Sequence, residues 1–266
     1  MVDNLRVDQL LVQQGLAEDI DKARRLVMAG KVLCRGQMVF KPSEIVTDQI
    51  DIQLIEDAPF VSRGGEKLQS AFESFPVSAK DRICADVGAS TGGFTDCLLQ
   101  HGAARVYAID VGYGLLDWKL RNDPRVILLE RTNARKLERL PEQVDLVTAD
   151  VSFISLKKII PALAGWYRGG AGEALLLIKP QFEASRRESA RGAGVIRDPA
   201  IHRRVLEELL NFASRVGFLP RGLIRSPLQG PAGNQEFIIW LTFQSGGWKD
   251  AQTGDLISPL FPQDPL

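Results

Sequence analysis

The feature that most limits what this chain can fold into is the alternation of short apolar runs with longer amphipathic stretches from residue 82 to residue 217. Runs at 82–87, 105–111, 126–130, 144–150 and 174–179 have the length and residue types of strands. Stretches at 93–101, 154–167 and 199–216 carry apolar residues at helical spacing. Two more strand-like runs, 219–225 and 236–243, close the pattern, and the loop between them is short enough for them to pair. A helical pattern also begins at Lys67, just before the first strand, with Leu68, Ala71, Phe72 and Phe75 in phase. Such β–α alternation predicts an α/β fold, a mostly parallel sheet with helices on both faces.

The first 60 residues read differently. Residues 5–14 put Val7, Leu10 and Leu11 on one helical face and stop at Gly15; residues 19–29 turn Ala23, Leu26 and Val27 inward and stop at Gly30. Segments 31–33 and 38–40 flank the polar turn Arg35-Gly36-Gln37 as a hairpin, and 45–51 and 52–55 supply further strand material. Two helices and a small sheet make an α+β unit near the smallest self-supporting size. The acidic pair Glu56-Asp57 favours exposure and Pro59 biases Ala58 away from helix. The expected organisation is a small unit at 1–56, a linker at 57–61, a large unit at 62–244 and a tail at 245–266, whose Gly, Pro and polar residues define no element.

The formal net charge is zero, so any affinity for nucleic acid must rest on local patches. Arg6, Lys22, Arg24, Arg25, Lys31 and Arg35 are the basic residues of the small unit considered for such a patch, and Arg24, Arg25 and Lys31 fall on one helix and its exit. A solvated helix face is the ordinary explanation of these charges taken alone. Cys34, Cys84 and Cys97 are odd in number and form no CxxC pair, which suits packing in a reducing, cytoplasmic compartment. No apolar stretch approaches the roughly 20 residues that span a bilayer, and the N-terminus lacks the charged-then-apolar pattern of a signal peptide. A soluble cytoplasmic protein is expected.

Asp86-Val-Gly88-Ala89-Ser90-Thr91-Gly92-Gly93 follows the first strand of the large unit and runs straight into a helix. Glycines at such a turn let the backbone bend tightly and a ligand approach the main chain. Asp110 ends the second strand and suits the hydroxyls of a ribose. This geometry serves a nicotinamide dinucleotide and S-adenosylmethionine alike. The dinucleotide fingerprint wants G-x-G-x-x-G, and Ser90 stands at its second glycine, where the backbone would have to approach a pyrophosphate. S-adenosylmethionine carries no phosphate and tolerates the side chain.

Four further residues stand at the edges of predicted elements: Asp150 and Lys179 close strands, Glu236 opens one and Lys67 starts a helix. Any one of them alone is ordinarily solvated surface. Two cations and two carboxylates around one crevice suit proton removal from a poorly acidic alcohol, because strand ends beside the crevice are where open α/β sheets do chemistry.

Longer motifs carry a resemblance. The stretch from RVDQLL through KARRLVMAGKV to RGQ is similar to an S4 RNA-binding domain. SRGGEKL at 62–68, GASTGGFTD, DVGYG at 110–114, LERTNAR at 129–135, DVSFISL at 150–156, IKPQFE at 178–183 and SPLQGPAGNQE at 226–236 recur in one family. From about residue 5 to about residue 243 the chain resembles the TlyA (haemolysin A) family of ribosomal RNA 2′-O-methyltransferases, an S4 domain followed by an FtsJ-like domain with a Rossmann-like methyltransferase sheet. The resemblance implies S-adenosylmethionine as cofactor, no metal, ribosomal RNA or ribosomal subunits as partner, and the 2′-hydroxyl of a cytidine ribose as acceptor. It places the catalytic set on Lys67, Asp150, Lys179 and Glu236, and the cofactor contacts on Asp86, residues 88–93, Asp110, Thr132 and Asn133. RNA contacts fall on the basic residues of the small unit and on Arg63. In the linker, Ala58-Pro59-Phe60 replaces an Arg- and Trp-bearing stretch seen in some relatives.

In such a reaction the methyl donor is already activated, so the enzyme chiefly places the nucleophile and eases its proton loss. Lys179 is expected nearest the 2′-oxygen as base or as charge stabiliser, Asp150 and Glu236 orient the lysines, and Lys67 steers the ribose. Arg186, Arg187, Arg191 and Arg197 sit in an expected loop after the Lys179 strand, where phosphate contact and simple solvation are both open. Three other classes fit the residues less well: a nicotinamide-dependent oxidoreductase, disfavoured by Ser90 and by two lysines at element edges; a non-catalytic RNA-binding or assembly protein, which would have lost one of the four polar residues; and a membrane-active haemolysin, for which no amphipathic or spanning segment is evident.

Overall fold

A computed structural model describes residues 4–55, 58–246 and 255–261. Glu56 and Asp57 of the expected linker, and most of the expected tail, lie outside the described residues. The chain divides into two compact units between Ala58 and Pro59.

In the first unit, β1 (Asn4–Arg6), α1 (Val7–Gln13), α2 (Ile20–Met28), β2 (Val32–Cys34), β3 (Gln37–Met38), β4 (Ile45–Thr47) and β5 (Ile52–Leu54) follow one another. The first helix begins later than its apolar spacing predicts, because Leu5 is taken into an antiparallel pair with Val46. The expected strand at 45–51 is likewise cut short by a turn in which the Ile50 N–H donates to the Thr47 carbonyl. Val7, Leu10, Leu11, Ala23, Val27, Val32 and Ile52 form the core. Asp8 is fully buried, and Arg6 donates to both its oxygens at 2.9 and 2.7 Å while Arg24 donates at 3.2 Å. The Arg6 guanidinium, ahead of Arg24, holds the Asp8 carboxyl below the usual carboxylate range.

The second unit contains α3 (Gly64–Ser74), β6 (Ile83–Val87), α4 (Gly93–Gln100), β7 (Arg105–Ile109), α5 (Trp118–Arg121), β8 (Val126–Leu129), β9 (Leu146–Ala149), α6 (Ile160–Leu163), β10 (Ala171–Ile178), α7 (Pro180–Glu183), α8 (Arg186–Arg191), α9 (Pro199–Arg215), β11 (Phe218–Arg225) and β12 (Phe237–Gln244). Seven strands lie in the order β11-β12-β10-β9-β6-β7-β8. Neighbours from β10 to β8 are parallel, and β12 runs antiparallel to both β10 and β11. Alternation along the strands splits the core in two. Leu175, Leu177, Leu146 and Ile238 face the side of α3 and α4, with Leu68, Phe94 and Leu98. Leu176, Ile178, Val147 and Ile239 face the side of α6 and α9, with Ile160, Leu206 and Leu209.

Three expectations need correction. The helix predicted over 154–167 is broken into a 3-10 turn at Leu156–Lys158 and the short α6, because Pro161 lacks an N–H and its ring excludes a continuous helix through that point. The arginine-bearing loop after Lys179 is helical for much of its length. Pro180 starts α7, and Ser185 with Glu188 forms a capping box for α8, a signal present in the sequence as S-x-x-E. Part of the tail is ordered: Ile257 is buried against the α6–α9 side, beside a 3-10 turn at Ser258–Leu260. All three cysteines are buried thiols, and burial pushes that of Cys84 up to about 12.

Candidate active site

Strand order places the site. From β6 the chain proceeds outward through β7 and β8, then returns to the other side of β6 as β9. The crevice outside the carboxyl ends of β6 and β9 is therefore the switch point where such sheets bind ligands. Two cavities open there and share Gly88, Ser90, Asp150 and Ser152 as walls.

The larger cavity, of 480 Å³, is lined by Val87, Ile109, Val111, Leu115 and Ile154 on apolar sides, and by Asp110, Thr132 and Asn133 on a polar one. Asp110 is held by two backbone donors, Ser90 N–H to Oδ2 at 2.8 Å and Gly112 N–H to Oδ1 at 2.7 Å. Each carboxylate oxygen keeps a lone pair for a further donor such as a ribose hydroxyl. Gly88 has φ +80°, and a Cβ there would come 2.7 Å from the Asp150 carbonyl oxygen, so only glycine lets the turn close against the end of β9. Ser90 has φ +50°: the backbone takes the left-handed form favoured by glycine although a side chain is present.

The smaller cavity, of 270 Å³, is lined by Lys67, Lys179, Asp150, Ser152, Arg63 and the 88–91 turn, among others. Strand parity brings these groups to one face. Thr148 and Leu146 alternate toward the α3 side, so Asp150 follows them; Leu175 and Leu177 do the same for Lys179, and Ile238 for Glu236. The register Ile178↔Phe237 makes Lys179 and Glu236 the next cross-strand neighbours. Pro180 restricts Lys179 to extended backbone (φ −110°, ψ 100°), which carries the alternation one residue past the strand.

Two ion pairs result. Lys67 Nζ lies 2.5 Å from Glu236 Oε2, with Lys67 8% and Glu236 1% exposed. Lys179 Nζ lies 2.6 Å from Asp150 Oδ1, at an angle that makes an ion pair rather than a hydrogen bond, and donates to Ser152 Oγ at 2.8 Å. Ser152 was not among the residues singled out from the sequence; the signal available was its place two residues past Asp150. Phe153 was also missed. It is 90% exposed at the rim of the larger cavity and has φ +63°, a strained conformation for a bulky residue.

The structure moves two of the expected cofactor residues away from the cavities. Asp86 is fully buried and accepts from Thr95 Oγ1 at 2.7 Å and Thr148 Oγ1 at 3.1 Å; it lines neither cavity, and burial pushes its carboxyl up to about 7 despite those hydrogen bonds. Gly92 also lines neither: a Cβ there would meet Leu120 Cδ1 at 2.2 Å, so its glycine is required by core packing. Ala89, Thr91 and Gly93 line the smaller cavity rather than the larger one. Of the basic residues of the first unit, Arg6 and Arg24 are engaged on Asp8, Arg24 while remaining exposed, and Lys22, Arg25 and Arg35 are exposed without that engagement.

A seven-stranded sheet with one reversed strand beside its edge, joined to a divided cavity at the switch point, defines a Rossmann-like methyltransferase. Family comparison agrees: residues 60–243 match the FtsJ-like methyltransferase model and residues 5–49 the S4 domain. The chain is 45% identical over 249 residues to the 16S/23S rRNA (cytidine-2′-O)-methyltransferase TlyA of Mycobacterium tuberculosis, covering 92% of each. It is 38% identical over 244 residues to Hemolysin A of Brachyspira hyodysenteriae, covering 88% of this chain and 98% of that one. A solved structure from Streptococcus thermophilus that carries the name hemolysin superposes with TM-score 0.71 at 42% identity, covering 96% of this chain and 95% of that one. The chain belongs to the TlyA (haemolysin A) family of FtsJ-like methyltransferases.

Proposed function

We propose that the protein methylates the 2′-hydroxyl of a cytidine ribose in ribosomal RNA with S-adenosylmethionine as donor. The observation that carries the reading is the shared wall of the two cavities. A cofactor site and a site holding Lys67, Asp150 and Lys179 meet at Gly88, Ser90, Asp150 and Ser152, the arrangement that transfer between two bound molecules needs.

The larger cavity fits the adenosyl group. Its apolar walls suit a base, the free lone pairs of Asp110 suit the ribose diol, and no cation cluster lines it to neutralise a pyrophosphate, Arg135 being its one basic lining residue. When bound, S-adenosylmethionine supplies a methyl group on a sulfonium. The chain's own residues do the rest. Lys179 donates one N–H to Ser152 and is ion-paired with Asp150, which leaves donor capacity on its ammonium for the incoming 2′-oxygen. That contact strengthens as the oxygen gains negative charge. The proton lost from the hydroxyl passes to the Asp150 carboxylate that Lys179 adjoins. Lys67, held by Glu236, lines the wall facing the ribose. Phe153 offers an exposed ring at the cavity mouth for an unstacked base, and the S4 domain supplies a separate RNA contact.

Lys179→Ala tests this most directly. Single-turnover transfer at saturating RNA and cofactor should fall by about 10²-fold or more, with cofactor affinity little changed. Lys179→Arg should not restore it, because a guanidinium presents its charge differently and does not release a proton. A near wild-type rate for Lys179→Ala would overturn the site.

A further inference from the structure

We propose that Glu183 is a positioning residue for this reaction: its carboxylate clasps the segment after β9 to the segment after β10 and thereby sets where Lys179 meets Asp150 and Ser152. The proposal rests on the methyltransferase reading above.

The segment that carries Asp150, Ser152 and Phe153 has little backbone support. Asp150 N–H donates to the Val87 carbonyl, but none of residues 151–155 donates a backbone–backbone hydrogen bond. Its far end is held by side chains instead. Ser155 Oγ donates to Glu183 Oε2 at 2.6 Å, and Leu156 N–H donates to Glu183 Oε1 at 2.6 Å, so one carboxylate takes up both oxygens on this segment. Ser155 Oγ then accepts from Lys157 N–H at 3.1 Å, which fixes the orientation of its hydroxyl and starts the 3-10 turn. Glu183 is the last residue of α7, whose first turn is closed by the Phe182 N–H donating to the carbonyl of Lys179 itself. A short rigid turn therefore connects the clasp to the lysine.

Between the two ends the segments touch twice more. Lys179 donates to Ser152 Oγ, and the rings of Phe153 and Phe182 lie 5.1 Å apart. Without the clasp, the strained backbone at Phe153 is held on its C-terminal side by the burial of Leu156 and no longer by a hydrogen bond to the segment after β10. Its relaxation would move Ser152, three residues before Ser155, relative to Lys179. Displacements of about 1 Å at a reacting group cost on the order of 10²-fold in rate. Charge-assisted bonds of this length are among the stronger ones available to hold such a segment.

The test uses the full chain, S-adenosylmethionine and a ribosomal RNA substrate, with 2′-O-methyl groups mapped and the single-turnover rate measured at saturation. Glu183→Ala should slow transfer tenfold or more while S-adenosylhomocysteine affinity changes less than the rate does. Glu183→Gln should recover most of the loss, since its carbonyl oxygen still accepts from Leu156 N–H and the Ser155 hydroxyl can reverse to accept from its amide. Ser155→Ala, which removes the other half of the clasp, should show the same rate-selective defect and serves if Glu183→Ala does not fold. The effect of Ser152→Ala should shrink in the Glu183→Ala background, as expected for residues acting on one element. An unchanged single-turnover rate in Glu183→Ala or in Ser155→Ala, or fully additive effects with Ser152→Ala, would overturn the clasp while leaving the methyltransferase reading intact. A wild-type chain that transfers no methyl to ribose overturns that reading and the clasp with it.

Discussion

Buried Asp86 shows how a single residue can look like a ligand and serve the fold. In the sequence it opens the glycine turn, which is why it is expected at the cofactor. In the structure it sits one residue inside β6 and collects the Thr95 and Thr148 hydroxyls beneath the turn, joining β6, α4 and β9. Its carboxyl is raised to about 7 mainly by burial, against an unfolded value near 4. The folded state therefore keeps this proton over a pH range where the unfolded state has lost it. Stability from this group is fullest at acid pH and declines as pH rises from about 4 to about 7, by on the order of 4 kcal/mol as an upper bound. Asp86→Asn, which stays neutral, should raise the melting temperature relative to wild type at pH 8 and give a smaller difference at pH 5. Parallel thermal melts at the two pH values check it; a difference larger at pH 5 contradicts the burial account.

At the scale of elements, the Lys67–Glu236 pair joins α3 to the start of β12 across 169 positions of sequence. Both partners are nearly excluded from water, so removing one leaves the other uncompensated, a loss of about 3–5 kcal/mol, whereas replacing both with apolar groups is often close to neutral. Lys67→Ala should thus lower thermal stability as well as turnover. The pair Lys67→Met with Glu236→Leu should restore most of the stability and none of the activity. Equal melting temperatures for wild type and Lys67→Ala would show that the pair carries no structural load. The positions of the four residues at element edges were legible beforehand, because strand ends and a helical phase can be read from apolar runs. Their pairing was not: Lys67 with Glu236 and Lys179 with Asp150 depend on strand order and register. Helix breaks were legible only in part. Pro161 and the Ser185–Glu188 box are visible signals, but apolar spacing over 154–167 outweighed the first, and glycine and arginine content hid the second.

For the whole molecule, the S4 unit and the methyltransferase unit divide the work expected of the family, and they should be separable by substitution. Lys22→Glu with Arg25→Glu should weaken ribosomal RNA binding without changing cofactor affinity, and the effect should shrink with rising salt. Two lost phosphate contacts reduce the slope of log affinity against log salt by roughly 1.5. Arg24 is unsuitable for this experiment, since a glutamate there would face the buried Asp8 and destabilise the unit itself. Binding isotherms at several salt concentrations read the outcome; identical slopes for the double variant and wild type would place the RNA surface elsewhere.

Local periodicity and residue chemistry are written in the order of the amino acids. That order yields the α/β alternation, the small α+β unit before it, the turn after the first strand of the sheet and the four polar residues at element edges. It also carried the family, because motifs such as DVSFISL and IKPQFE are contiguous in the chain. Tertiary structure alone decided which of those residues meet. Whether Gly92 faces a ligand or Leu120, whether Arg24 faces solvent or Asp8, and whether Glu183 is a surface charge or a clasp on Ser155 are set by contacts between segments 16 to 28 residues apart. Local spacing holds no information about such contacts, because they form only when strand order and packing bring distant segments to van der Waals and hydrogen-bonding distance.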